Sequence, residues 1–206
     1  MELFFSPLAC SMATRITLYE IGAEARFVPV EPRTKTLPDG SDYRALHPLG
    51  LVPALRTDDG ALLTENASIL QHLADRHPEA RLAPSDPAGR TELHEWLSFV
   101  GTELHKTVFN PLLDTAASDV VRAYAMSKAE PRLSFLAQHL EGRAFLLDAF
   151  SVADAYASTV LGWAPATPID LAKWPALAAY VARVRERPSV QRALADELPL
   201  YRASLR

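Results

Sequence analysis

The 206-residue sequence contains one cysteine, Cys10, which excludes an intrachain disulfide framework. No run of 18 or more apolar residues is present, so we expect no membrane-spanning helix. There is no long basic run and the net charge is −4, which argues against nucleic acid as the main partner. The first residues lack the basic region and the long apolar run of an export signal, so we expect a cytoplasmic protein.

Several motifs that would define other classes of enzyme are also missing. The sequence has no glycine-rich phosphate loop and no nucleophile elbow. Its six histidines show no metal-ligand spacing, so we expect neither a metal nor a resident cofactor. A dithiol oxidoreductase has two cysteines separated by two residues, but Ala13 occupies the second position here. Any disulfide that Cys10 forms must therefore be with an external thiol, for which glutathione is the natural candidate.

Cys10 lies where a strand is predicted to end and a helix to begin. Residues 3–5 form an apolar run, Ser6-Pro7 interrupts it, and Ser11 opens a helical pattern. Backbone N–H groups at a helix N-terminus have no helical partner, and the helix dipole favours a negative charge there. A thiol at this position should ionise more readily than a free thiol. The alternative interpretation is a buried and inert cysteine.

Alternating strand and helix patterns predict a small α/β domain over residues 1–77, with a four-stranded sheet and helices packed against it. Pro29 in the second strand predicts an edge position. A third strand is predicted over residues 51–55, and its internal proline suggests a cis Val52-Pro53 bond. Asp59-Gly60 then predicts a hairpin.

The rest of the sequence predicts a linker and a second, all-helical domain. Prolines recur over residues 78–89, which is typical of a linker. Only helical patterns follow over residues 90–206. Ser151 and Asp154 have the spacing of a capping box, with Asp in place of the usual Glu. The predicted fold is therefore an α/β domain followed by an all-α domain.

A glutathione site needs partners for two carboxylates, an ammonium, a thiol and two amides. Lys35, on a polar loop, can pair with one carboxylate, although a solvated lysine is the simpler interpretation of this residue alone. The backbone of Val52, held before Pro53, can pair with the cysteinyl amide as a short added strand.

The beginning of the predicted second helix offers partners for the other end of the tripeptide. Glu65 can pair with the ammonium, although acidic residues are common near helix starts for other reasons. The backbone N–H groups of Asn66 and Ala67 can bind the second carboxylate. The thiol would then point at Cys10 and Ser11.

With these residues in place, the sequence resembles bacterial, beta-class glutathione S-transferases over nearly the whole chain. The resemblance implies a thioredoxin-like N-terminal domain, an all-helical C-terminal domain and a homodimer. The matching residues are 3–11 with Cys10, Arg33-Thr34-Lys35, His47-Pro48, Gly50 to Leu55 with Val52-Pro53, Leu63-Thr64-Glu65, Glu95-Trp96-Leu97, Glu103-Leu104-His105-Lys106 and Phe150 to Tyr156.

The resemblance also implies roles for individual side chains. Cys10 would face the glutathione sulfur and be able to form a mixed disulfide with it. His105 would lie near that sulfur as a neutral proton acceptor, suited to the task by its ordinary pKa. Ser98 and Glu103 would reach the glutathione of the partner subunit, and Trp163 would form a wall of the acceptor pocket. The alternatives are a hydrogen-bonded interfacial histidine and a tryptophan that only packs in the core.

Three positions depart from the family pattern. Phe5 stands where relatives often carry tyrosine, Ser98 where they often carry asparagine, and Asn66 where serine or glycine is common. The function predicted from the whole sequence is a detoxifying transferase that joins the glutathione thiolate to small hydrophobic electrophiles, with thiol-disulfide exchange through Cys10 as a second activity. The alternative is a non-catalytic binding or interaction module of the same fold.

Overall fold

The first strand is central in a four-stranded mixed sheet. In the computed structural model, which describes residues 1–204, β1 (Glu2–Phe5) pairs in parallel with β2 (Arg26–Pro29) and antiparallel with β3 (Ala54–Arg56). β4 (Leu62–Thr64) pairs antiparallel with β3, so the order is β2-β1-β3-β4. The predicted edge position of the Pro29 strand is confirmed.

Side chains of β1 are buried on both faces of the sheet, which explains its uninterrupted apolar sequence. Leu3 and Phe5 pack with Leu55 and with residues of two helices on one face. Phe4 points to the other face and packs against Tyr43, with a ring-centroid separation of 5.6 Å. Strand alternation therefore supplies two small cores from three consecutive residues.

Helices account for most of the remaining described chain. The α-helices are α1 (Ser11–Glu20), α2 (Asn66–Arg76), α3 (Pro87–Phe99), α4 (Asn110–Leu113), α5 (Asp119–Leu140), α6 (Val152–Leu161), α7 (Pro175–Arg185) and α8 (Pro188–Ser204). A π-helical segment (Val100–Phe109) joins α3 to α4. Short 3₁₀ turns lie at Tyr43–Ala45, Pro78–Ala80, Ala164–Ala166 and Leu171–Lys173. No helix within residues 1–204 is long and apolar enough to cross a membrane.

The chain folds as two units, and the first is built from both ends of the sequence. It comprises Met1–Arg81 together with Pro188–Ser204, and the second comprises Leu82–Arg187. Sequence patterns grouped α8 with the helical domain of residues 90–206. In the structure α8 packs against α1 in the first unit, because a buried carboxylate of α8 pairs with a buried arginine of α1. Because the two residues of this pair are far apart in the sequence, no local sequence pattern predicts that α8 packs in the first unit.

In the second unit, α6 is buried along its whole length. A helix that is apolar on every side belongs in a core, and its polar start must then be satisfied internally. The predicted capping box provides this: Ser151 Oγ accepts from the Ala153 N–H, and Asp154 accepts from the Ser151 N–H at 2.9 Å. Asp154 also accepts from the Tyr180 hydroxyl, which ties α6 to α7.

Two boundaries differ from those the sequence predicted. The third strand was expected over residues 51–55, but β3 begins only at Ala54. The Val52-Pro53 bond is cis, as predicted, and proline has no N–H to donate to a neighbouring strand. Residues 78–89 contain the Pro78–Ala80 turn and the first residues of α3, so part of the proposed linker is helical.

Candidate functional site

Cys10 is the residue that immediately precedes α1, at its N-cap position. Its side chain is half-buried, and the Sγ–H donates to the Val52 carbonyl oxygen across 3.3 Å. The sulfur therefore lies beside the first turn of a ten-residue helix, where the dipole favours the thiolate. The predicted junction of strand, cysteine and helix is confirmed.

The segment between β1 and α1 is fixed by its own backbone and by Ser11. The buried Ser11 hydroxyl donates to the Ser6 carbonyl oxygen at 3.2 Å and accepts from the Ser6 N–H at 3.3 Å. The Ser6 hydroxyl donates to the Val30 carbonyl, and the Ala9 N–H donates back to Ser6. Both hydrogen bonds of the Ser11 hydroxyl are thus to the Ser6 backbone. Ser11 therefore contributes to the surroundings of Cys10 through its position at the start of α1.

The Asn66 side chain joins the beginnings of α1 and α2. This buried amide donates to the Cys10 carbonyl oxygen at 3.1 Å and accepts from the Thr14 hydroxyl at 3.0 Å. Two helix N-termini are thereby held next to each other in the first unit. Cys10 is in contact with Val52 through its sulfur and with Asn66 through its carbonyl, so three of the predicted site residues lie together.

Two of the predicted glutathione-binding side chains belong to residues in the left-handed backbone region. Glu65, at the N-cap of α2, has φ of +64°, and Lys35 has φ of +61°. Residues without a glycine's freedom rarely adopt this conformation, and such strain is concentrated at ligand-binding and active sites. Glu65 is exposed, and its carboxylate has no side-chain partner among residues 1–204.

The Lys35 side chain lies along Gly50, close in sequence to Val52. A Cβ placed on Gly50 would come within 3.3 Å of the Lys35 stem, and Gly50 itself has φ of +61°. Tyr43 fixes both sides of this contact, since its N–H donates to the Lys35 carbonyl and its hydroxyl to the Leu51 carbonyl. The loop of Lys35 and the segment before Pro53 are thus held against each other.

His105 is buried in the π-helical segment of the second unit. Its Nδ1 is hydrogen-bonded to the Tyr156 hydroxyl across 2.7 Å, and its ring lies 5.0 Å from that of Trp163. Burial lowers the pKa of His105 to about 4, with a smaller effect of the neighbouring Lys106 charge. The ordinary pKa assumed from the sequence is therefore wrong for this site: the imidazole is neutral at pH 7 but binds a proton weakly.

Glu103 and Ser98, the residues expected to reach a partner subunit, have different environments. The half-buried Glu103 carboxylate pairs with Arg132 of α5, whose Nε donates to it at 2.8 Å. The exposed Ser98 lies in α3, and its carbonyl accepts from the Thr102 hydroxyl. Trp163 is half-buried and also packs against Phe109, with ring centroids 6.2 Å apart.

Some contacts of these residues had no signal in the sequence. Tyr156 lies in the family motif of residues 150–156, which implies no role for it, and no sequence pattern marks Arg132. Glu197 of α8 accepts from the Leu8 N–H at 2.6 Å, two residues before Cys10. The partners in each of these contacts are far apart in the sequence, so no characteristic residue spacing reveals them in a single sequence.

Comparison with known proteins identifies the family. Residues 9–76 match the N-terminal domain of glutathione S-transferases, and residues 102–188 match the C-terminal domain of the same family. The glutathione S-transferase GstA of Escherichia coli O157:H7 is 41% identical over 96% of this chain and 98% of its own length. The chain belongs to the glutathione S-transferase family, as the sequence motifs predicted.

Solved structures agree with this assignment. A sphingomonad glutathione S-transferase in complex with glutathione is 42% identical, with a TM-score of 0.91 over 96% of this chain and 98% of that one. The bacterial beta-class enzyme of Sphingomonas chungbukensis is 41% identical, with a TM-score of 0.91 and the same coverage. The predicted fold, a thioredoxin-like domain followed by a helical domain, is confirmed.

The lowered pKa of His105 gives a first testable prediction. In NMR spectra of histidine-labelled protein, the His105 imidazole should remain neutral from pH 8 down to pH 5, and its signal is assigned by its absence from the His105→Gln variant. Protonation of the His105 signal with a midpoint between pH 6 and 7 would contradict the environment described here.

The same shift has a consequence for stability. Below pH 6.5 the unfolded chain binds a proton at this histidine that the folded chain does not, so the free energy of unfolding falls as the pH drops toward 4. Between pH 7 and pH 5 this group alone should account for a loss of about 2 kcal/mol. Urea unfolding should show a correspondingly smaller pH dependence for His105→Gln.

Proposed function

We propose that this protein is a glutathione S-transferase that adds the glutathione thiolate to small hydrophobic electrophiles. The observation that carries the proposal is the contact of Cys10 with both Val52 and Asn66 at the start of α1. A glutathione site of the predicted kind requires these three residues to lie next to one another. The sphingomonad relative, solved in complex with glutathione, supports the same ligand.

In this proposal the first unit binds the tripeptide. The Lys35 ammonium and the N-terminus of α2 at Asn66 bind the two carboxylates. The Glu65 carboxylate binds the ammonium, and the backbone of Val52, set by cis Pro53, pairs with the cysteinyl amide. Glu65 is exposed in the structure, so its carboxylate is accessible to the ligand.

The chemical step needs a stabilised thiolate more than a strong base. The α1 N-terminus, with Cys10 and the adjacent Ser11, stabilises the negative sulfur. His105 was expected to accept the thiol proton, but a group with a pKa of about 4 is a poor acceptor for it. The family resemblance implies that His105 lies near this sulfur, and we propose that it acts there as a neutral hydrogen-bonding imidazole, whose ring is oriented by Tyr156.

The electrophile would pack against apolar side chains of the second unit, with Trp163 as one wall. Its half-buried ring, next to His105, is suited to an aromatic or alkyl acceptor. Detoxification of such compounds is the physiological role we propose. A cytoplasmic location fits this role, because the Cys10 thiol must remain reduced.

We also propose a homodimer. Large apolar side chains of α5 are exposed, including Val120 (79%), Tyr124 (60%) and Phe135 (54%). Val120 and Tyr124 are one helical turn apart, which makes a patch suited to a second copy. Ser98 and Glu103 would then contact the glutathione of the partner subunit, with Arg132 holding the Glu103 carboxylate in place.

Thiol-disulfide exchange is a second activity that the position of Cys10 favours. The Cys10 thiolate attacks one sulfur of oxidised glutathione, the S–S bond breaks, and one glutathione leaves as its thiolate. With a mixed disulfide RSSG of glutathione and another thiol as the substrate, Cys10 attacks the glutathionyl sulfur and RS⁻ leaves. A glutathione thiolate then attacks the Cys10 mixed disulfide, so that the Cys10 thiolate leaves and oxidised glutathione forms. The net reaction reduces RSSG to RSH and oxidises one glutathione.

Glutathione binding should depend on Glu65. Wild-type protein should bind glutathione in calorimetry and conjugate it to an aromatic electrophile. Glu65→Gln should weaken binding by about tenfold or more, because a hydrogen bond to a charged group contributes about 1.5–3 kcal/mol. Glu24→Gln, at an exposed acid, should bind like the wild type. No wild-type binding at millimolar glutathione would favour the non-catalytic module instead.

Incubation with oxidised glutathione should add the mass of one glutathionyl group to the intact protein, and a reductant should remove it. Cys10→Ala should show no addition and should lose disulfide reduction while keeping part of its conjugation activity. If Cys10→Ala matched the wild type in both activities, Cys10 would have no catalytic role.

The dimer can be tested by light scattering. Wild-type protein should have the mass of two chains, and Val120→Glu combined with Tyr124→Glu should shift it toward one chain, because charges would replace the exposed apolar patch. Ala182→Glu, at an exposed site on α7, should leave the mass unchanged. A monomeric wild type would contradict the proposal.

A further inference from the structure

Glu197 is a fully buried acid whose two carboxylate oxygens bind different parts of the first unit. Its Oε1 accepts from Arg15 Nε at 2.7 Å, and its Oε2 accepts from the Leu8 backbone N–H at 2.6 Å. Arg15 belongs to α1, and Leu8 lies in the segment between β1 and Cys10. A single carboxylate of α8 therefore contacts both the helix and the loop that flank the cysteine.

Arg15 is itself held rigidly, so it fixes the carboxylate. Its guanidinium stacks over the rings of Phe5 and Phe27, 4.3 Å and 3.9 Å from the ring centroids, and is 3% exposed as a residue. Its Nη1 donates to the Tyr19 hydroxyl at 3.1 Å and lies 3.7 Å from Asp196. Burial raises the pKa of Glu197 to about 7, and the Arg15 charge and the hydrogen bond from the Leu8 N–H oppose this rise.

Leu8 needs such a contact because its backbone is strained. Its φ of +59° places a branched residue in the left-handed region, which costs free energy without a compensating interaction. Two residues further along, Cys10 takes the N-cap position of α1. Relaxation of Leu8 would therefore move the start of the helix and the thiol attached to it.

We propose that Glu197 is a positioning residue for Cys10: its carboxylate, held by Arg15, anchors the Leu8 N–H and so sets the thiol at the α1 N-terminus. The importance of this for turnover rests on the proposed glutathione transferase function. The effect on the thiol itself does not, and it can be measured without glutathione.

The competing explanation is an ion pair that only stabilises the packing of α8. The two explanations predict opposite shifts of the Cys10 pKa when Glu197 is neutralised. Removal of a nearby negative charge by itself favours the thiolate and lowers the thiol pKa. Displacement of the thiol from the helix N-terminus removes a stabilising interaction and raises it.

The experiment is the rate of Cys10 alkylation by iodoacetamide as a function of pH, which reports one residue because the sequence has one cysteine. Glu197→Gln should raise the apparent thiol pKa by about half a unit or more and slow alkylation at pH 7 by about threefold. Glu197→Ala should do the same. An unchanged or lowered pKa in a folded Glu197→Gln protein would overturn the proposal.

Two control variants alter the same helix without touching Leu8. Asp196→Asn removes an equal charge from the neighbouring residue that contacts Tyr19 and Arg15. Ser189→Ala removes the hydrogen bond of α8 to Glu20 on α1. Neither variant should raise the Cys10 pKa. If both raised it as much as Glu197→Gln does, any loosening of α8 would be sufficient to displace the thiol. That result would overturn the specific role of the Leu8 contact.

A measurement on the wild type keeps the proposal testable if both Glu197 variants fail to fold. The Leu8 amide, though it lies in a loop, should exchange its hydrogen slowly, because it donates to a buried carboxylate. Fast exchange of this amide in the folded protein would contradict the anchor. Failure of the wild type to bind glutathione would instead contradict the proposed function and leave the thiol result standing.

Discussion

The side-chain amide of Asn66 holds the two helix beginnings of the first unit together. Its nitrogen donates to the Cys10 carbonyl, and its oxygen accepts from the Thr14 hydroxyl. Neither α1 nor α2 can therefore shift along its axis without breaking a buried hydrogen bond. Because β1 and β3 are antiparallel neighbours, the segment after β1, which contains Cys10, and the segment before β3, which contains Val52, lie at the same end of the sheet. Everything proposed for the sulfur depends on this small cluster remaining fixed.

Charged pairs differ between the interior and the surface of this unit. Glu2 makes pairs with Arg26 and Arg56 in which the arginines are substantially exposed, and such pairs contribute little to stability. Arg15 and Glu197 are almost completely buried, where loss of one partner leaves an uncompensated charge and costs several kcal/mol. A buried pair of this kind gives precise geometry at a large desolvation cost, which suits a contact next to a reactive group.

Local sequence patterns predicted the parts of the fold that local interactions determine. The apolar run of β1, the edge proline of β2 and the capping box of Ser151 and Asp154 each depend on neighbours within a few residues. The site residues Cys10, Val52 and Asn66 were found because helix starts and a proline mark them. The pKa of His105, the membership of α8 and the Glu197 contact depend on burial between distant segments, which one sequence does not encode in any spacing.

The first unit contains the first and the last described segments of the chain, and this has a consequence for synthesis. Translation proceeds at roughly 5–20 residues per second, so the intervening residues 82–187 take about 5–20 s to be made. During that interval the residues of the sheet and of α1 are present on the ribosome without α8. Arg15 therefore lacks the Glu197 carboxylate with which it pairs in the folded protein. The thiol of the newborn chain thus acquires its final surroundings only after α8 has been synthesised.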